Sequence, residues 1–189
     1  MKSSLKHAFS ILVVFSLIFR PTYASFTDVF SEGRFAAPVE YFSYDVPIIN
    51  LEQDQFRPLD KVNRAEFFKL LILSGNSEIK EGPFDIAFED TNGDEWYAKY
   101  IYRALEVGII DHSVQNPNFK PAETINRADA ITYILAYYDI EPDLVSDFPL
   151  DYFDVSESDY FANESQIAYM FELLPDYKSR YFSPYKELT

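Results

Sequence analysis

The sequence predicts an all-α fold built from tandem units, and three observations carry this. "FRPLDKVNRAEFF", beginning at Phe56, is answered 63 residues on by "FKPAETINRADAI" at Phe119, and a shortened "FSPYKELT" begins at Phe182, another 63 on. A fixed period of this kind marks a repeated supersecondary unit. Apolar runs follow the repeated motif, "FFKLLIL" at 67–73 and "AITYILAY" at 130–137, broken only by Lys69, Thr132 and tyrosine hydroxyls. Helices apolar on nearly every side belong in a core. Finally, "WYAKYIYRALEV" at 96–107 sets Tyr97, Ile101, Ala104 and Leu105 on one helical face and Lys99, Arg103 and Glu106 on the other. That is a surface helix with one buried stripe.

In chain order, residues 1–24 have a signal-peptide layout. Lys2 and Lys6 precede a 12-residue apolar run at 8–19, and Thr22-Tyr23-Ala24 offers a small-x-small cleavage site before Ser25. The run is shorter than the roughly 20 residues a bilayer span needs; an uncleaved short anchor is the alternative. The layout implies export. Three of the 16 basic residues fall in 1–24, which leaves 13 against 31 acids, a mature net charge of −18. So acidic a chain lacks the basic footprint of nucleic-acid binding or of docking on anionic lipid. With no cysteine, disulfides and thiolate chemistry are excluded and burial must hold the fold. The aromatic supply for that burial is large, 15 Tyr and 18 Phe.

The units are expected at 25–75, 88–138 and 152–189, with Pro-, Gly- and acid-bearing linkers at 76–87 and 139–151. Each opens on an aromatic-x-Asp, giving Asp28, Asp90 and Asp154, and continues as surface helix, Phe-x-Pro loop and core helix. Asn63 and Asn126 are N-cap candidates, with Glu66 and Asp129 three residues on to close capping boxes. Gly75 and Gly108 stand where helices should stop. The third unit reaches Thr189, the position equivalent to Asn63 and Asn126, so its core helix is expected to be missing.

These motifs, in order and at constant spacing, resemble the S-layer homology domain, a module usually present as three tandem copies. "FTDV" at 26–29, "EWYAKYI" at 95–101, "VGII" at 107–110, "VNRAE" at 62–66 and "INRAD" at 125–129 carry the resemblance, which covers 26–189. Unit one has no Trp and reads "VPII" at 46–49; unit three reads "LLPDYK" at 173–178 in place of the Gly-Ile-Ile element. The resemblance implies a three-pronged spindle of pseudo-threefold symmetry around a central helix bundle. It also implies non-covalent attachment of an exported protein to the cell wall, through an anionic, often pyruvylated secondary polysaccharide or through peptidoglycan.

Against that background the candidate glycan-binding residues are Arg64, Arg127, Asn63, Asn126, Trp96, Asp28 and Asp90. An arginine at a helix mouth adds a bidentate fork to amides and a dipole that favour anions, which suits a pyruvyl carboxylate. Alternatively each arginine pairs with a neighbour such as Glu66 or Asp129. Trp96 offers a flat face to a sugar, or fills the core. The aspartates reach a sugar hydroxyl, or cap the following turn. "DTNGDEW" at 90–96 has alternating carboxylate spacing but lacks the Gly and the closing Glu of a calcium loop. His112, the sole mature histidine, reads as a loop residue, and no nucleophile, phosphate or zinc signature is present. A non-catalytic module without cofactor or metal is therefore expected; the alternatives are self-association within the envelope and a carboxylate-pair glycosidase.

Overall fold

A computed structural model describes residues 26–30, 32–45, 49, 54–75, 78–111, 113, 116–145, 149–150, 152–176 and 178–189. The signal-peptide layout, His112 and most of "VPII" lie outside the described residues. The fold is all-α. Its helices are α1 (Ala36–Glu40, continued by a π-helical turn at Tyr41–Asp45), α2 (Arg64–Ser74), α3 (Ala98–Glu106), α4 (Arg127–Tyr137) and α5 (Ala162–Met170), with a 3-10 turn at Pro142–Val145. Among the described residues, extended backbone pairs only as isolated bridges. The chain divides into two compact units, Met1–Pro58 and Leu59–Thr189.

One device recurs through both units. The Asp28 carboxylate accepts the amides of Phe56 and Arg57 at 2.8 and 2.6 Å. Asp90 does the same for Phe119 and Lys120 at 2.8 and 2.6 Å, and Asp154 for Phe182 and Ser183 at 2.7 and 2.8 Å. The middle residue of each Phe-x-Pro is left-handed, with φ of 59° at Arg57, 62° at Lys120 and 55° at Ser183. A side-chain-bearing residue disfavours this region, and the proline after it narrows the choice further. Two charge-assisted hydrogen bonds per loop offset the strain.

In the first unit the clasp brings Phe26 onto Phe56, ring centroids 5.6 Å apart. In the second, α2 packs on α3 and α4 on α5. Each pair thus joins the core helix of one sequence period to the surface helix of the next. Phe67, Phe68, Leu71 and Ile72 of α2 share a cluster with Tyr100, Ile101 and Ala104 of α3, closed by Phe88, Phe119 and Ile125. Ala128, Ile131 and Leu135 of α4 share another with Ile167 and Ala168 of α5, closed by Tyr152, Phe161 and Phe182.

The helix starts explain the period. Residues 62, 125 and 188 form a closed ring of backbone hydrogen bonds: Val62 N donates to Leu188 O at 3.0 Å, Leu188 N to Ile125 O at 3.0 Å, and Ile125 N to Val62 O at 3.1 Å. The first amides of α2, on Arg64 and Ala65, donate to Glu123 O and Pro121 O. Those of α4, on Arg127 and Ala128, donate to Lys186 O and Pro184 O. The next amides go to the caps, Glu66 N to Asn63 Oδ1 and Asp129 N to Asn126 Oδ1, both at 2.9 Å. The first capping box is complete, since Glu66 accepts the Asn63 amide at 3.0 Å. The second is not. The shorter Asp129 takes Asn126 Nδ2 at 3.0 Å and the Tyr160 hydroxyl instead.

Helix ends are equally regular. Gly108 follows α3 with φ 76°, Asp139 follows α4 with φ 55° and Glu172 follows α5 with φ 53°. The next amide in each case bonds back over five residues, Ile109 to Ala104, Ile140 to Leu135 and Leu173 to Ala168. This is the left-handed helix stop that glycine performs most cheaply. Gly75 serves closeness instead: a Cβ there would lie 2.3 Å from the Tyr137 hydroxyl, which bonds Ile72 O across the two core helices.

Lys120→Gly is expected to leave stability within about 1 kcal/mol of the wild type, and Lys120→Val to lose about 1–3 kcal/mol, as urea denaturation would measure. For Asp28, desolvation pushes the carboxyl up, but the Phe56 and Arg57 amides outweigh it and hold it below its ordinary value. A lowered folded value means a contribution fully present above about pH 4 and lost as pH falls through the lowered value. Hydrogen exchange should therefore show the Phe56 and Arg57 amides losing protection in acid.

Candidate functional site

Arg64 and Arg127 are equivalent residues with different surroundings. Arg64 Nε donates to Phe119 O at 2.8 Å, and its Nη2 lies 3.5 Å from the Tyr133 hydroxyl. Its guanidinium faces the rings of Phe119, Tyr133 and Phe68 at 5.0, 5.6 and 5.9 Å from their centroids. Among the described residues no carboxylate stands within ion-pair distance of it. It is a half-buried cation with aromatic walls and spare donors, in a chain of net charge −15. Aromatic faces steady such a cation without neutralising it.

Arg127 also holds the next loop, Nη1 donating to Phe182 O at 2.7 Å. Here, however, Asp176 takes both terminal nitrogens, at 3.2 and 3.0 Å. The arginine side chain is 6% exposed and the aspartate 42%. The neighbours Glu66 and Asp129 pair with neither arginine: each stays with its own helix cap, and Asp129 also takes Tyr160. The amides expected to be free at the helix mouths are used by the neighbouring loop and the caps. Any anion at Arg64 would therefore be held by the guanidinium and not by the helix start.

The other candidates divide in the same way. Asn63 and Asn126 spend their side-chain oxygens as caps. Asp28 and Asp90 spend both carboxylate oxygens on loop amides. Asp90 and Arg64 grip opposite ends of Phe119, one its amide and the other its carbonyl. Trp96 is 52% exposed and touches Tyr97 edge to face, so its flat surface meets solvent. Among the described residues no hydrogen bond or ring contact joins Trp96 to Arg64. An open concavity in the first unit, lined by Thr27, Asp54, Gln55 and Arg57, contains none of the seven.

Sequence reasoning did not single out Tyr133, Tyr160 or Asp176. Tyr160 stands two residues before α5 as Trp96 stands before α3, and is 60% exposed. Burial first, then the bond to Asp129, pushes its hydroxyl well above the usual tyrosine range, and Tyr133 and Tyr185 act on it as well. The period could have pointed to Tyr160. Nothing local marks Asp176, whose partner lies 49 residues away.

Removing Arg127 orphans the buried Phe182 carbonyl and the Asp176 carboxylate. Arg127→Ala is expected to lower the unfolding free energy by about 2–4 kcal/mol, and Arg64→Ala by about 1–2 kcal/mol, in urea titrations.

Comparison with known proteins bears on the middle of the chain. Residues 87–131 match the family model described as the S-layer homology domain. Over 86 residues the chain is 30% identical to Exoglucanase XynX of Acetivibrio thermocellus, covering 46% of this chain and 8% of that protein. Over 75 residues it is 35% identical to Endo-1,4-beta-xylanase A of Thermoanaerobacterium saccharolyticum, covering 40% and 6%. The chain thus spans less than a tenth of the length of either relative. The matched segment holds the Asp90 clasp, the exposed Trp96, α3, the Phe119 loop and the start of α4 with Arg127, and it belongs to the S-layer homology family.

Proposed function

We propose that this chain fixes an exported protein to the cell wall without covalent bonds, by reading a carboxylate on an anionic wall polysaccharide at Arg64. S-layer homology domains act in anchoring at the cell envelope, not in catalysis. The observation that carries the site is the Arg64 guanidinium: half-buried, faced by three rings, and without a carboxylate partner among the described residues. A carboxylate is the group such a fork accepts best. A pyruvyl ketal offers one on a sugar whose C–H faces suit exposed aromatics such as Trp96 and Tyr160.

The reading extends the family beyond the matched segment. The clasps at Asp28 and Asp154 repeat that at Asp90, and the backbone ring at 62, 125 and 188 takes one residue from each period. Both support three related units, 25–75, 88–138 and 152–189, in a spindle of pseudo-threefold symmetry. The relatives named as an exoglucanase and a xylanase match over 8% and 6% of their own length, so their named activities are not carried over to this chain. Among the described residues no helix is long and apolar enough to cross a membrane.

The test is co-sedimentation with purified wall sacculi, with and without their anionic polymer. The wild-type chain should pellet only when the polymer is present, and Arg64→Ala should lower the pelleted fraction severalfold. Pelleting that ignores the polymer would assign peptidoglycan as the ligand. A folded chain that never pellets would overturn anchoring and favour self-association.

A further inference from the structure

Arg64 and Arg127 stand 63 residues apart, both second in Asn-Arg-Ala, and each holds the carbonyl of the next Phe-x-Pro phenylalanine. Among the described residues only Arg127 has an acid on it. Asp176 meets its two terminal nitrogens side by side, as a carboxylate ligand would. The burial is lopsided, 6% exposure for the arginine side chain against 42% for the aspartate. Asp176 therefore lies on the solvent side of the cation and closes the approach to it.

A second observation points to a place for a ligand. The Tyr152 hydroxyl is buried, the residue being 4% exposed, and it has no hydrogen-bond partner among the described residues. Its ring packs on Phe182, whose carbonyl Arg127 holds, at 5.4 Å between centroids. Burial first, and then the Asp176 carboxylate, raise this hydroxyl to about 12, with Arg127 acting in the opposite direction. The preceding period has Phe88 opening its Phe-x-Asp, so the orphan hydroxyl is an addition of the third unit, on the ring that packs against Phe182. Buried donors without acceptors are rare in folded proteins.

Asp176 comes from "LLPDYK", the segment where the third unit departs from its predecessor's "GIID". The loop leaves α5 through Glu172 in the left-handed region, and the Asp176 carbonyl accepts the Ser179 amide at 2.8 Å. The third unit thus has Glu172 where Gly108 makes the stop, and Pro175 sets its aspartate four residues past the stop, against three for Asp111.

We propose that Arg127 is a second carboxylate-binding site, closed in this chain by Asp176 acting as a tethered substitute for the ligand, with Tyr152 as the donor left waiting. Of the two equivalent arginines only Arg64 accepts an external carboxylate. This rests on the wall-polymer reading of Arg64.

The experiment is isothermal titration of the full chain with a methyl hexoside carrying one pyruvyl ketal. Wild type should bind one equivalent and Asp176→Asn two. Arg64→Ala should bind none, and Arg64→Ala/Asp176→Asn one. Circular dichroism checks that each variant is folded. Two equivalents on wild type, or a single one on folded Asp176→Asn, would overturn the proposal while leaving the Arg64 site standing. No binding by wild type or any variant would remove the wall-polymer reading, and the proposal with it. A further readout needs no variant: the guanidinium NMR signal of Arg64 should shift with the saccharide and that of Arg127 should not. Movement of the Arg127 signal in wild type would count against closure.

Discussion

Three hydrogen bonds around residues 62, 125 and 188 set the terms for the larger unit. Each is an ordinary amide-to-carbonyl contact, worth about 1 kcal/mol net. Their importance is geometric. Because the ring closes, three extended segments that lie far apart in sequence meet at one place. The helices that follow two of them start side by side, with their first amides consumed by the adjoining loop. Those loops are in turn locked by aspartates 62 and 64 residues apart, each holding two amides of a strained Phe-x-Pro. The 63-residue period is the chain length needed to return to the ring.

From this follows the character of the arginines. A side chain directly after the cap of a core helix falls where the next loop arrives, and both guanidinium groups spend part of their donor set on that loop. What is left over decides function. At Arg64 the remainder faces aromatic rings, so charge is retained; at Arg127 an acid from a distant loop takes it. One motif thus serves two ends, and the residue that separates them lies outside the motif.

Much of this architecture was legible. The N-cap asparagines, the buried stripe of α3, the apolar core helices and the stop at Gly108 all follow from local spacing, and local rules act where the interacting groups are near in sequence. The role of the aspartates was only half legible: capping was foreseen, but the partner amides lie 28 to 30 residues away. Free amides at the helix mouths were expected, and the structure fills them with the carbonyls of another period. Asp129 shows the limit at short range. It has the charge of Glu66 with one methylene fewer, and that methylene decides whether the side chain reaches the cap amide.

The stagger of the helix pairs bears on how such a chain is assembled over evolutionary time. Since α2 packs on α3 and α4 on α5, both helix pairs span a sequence boundary, and neither buried cluster is supplied by a single period. Duplicating or deleting part of a period would separate a core helix from the face it covers. Copy number can change only in whole periods, and a cut at a linker would strand apolar surface on both fragments, which would then recombine as non-covalent complements.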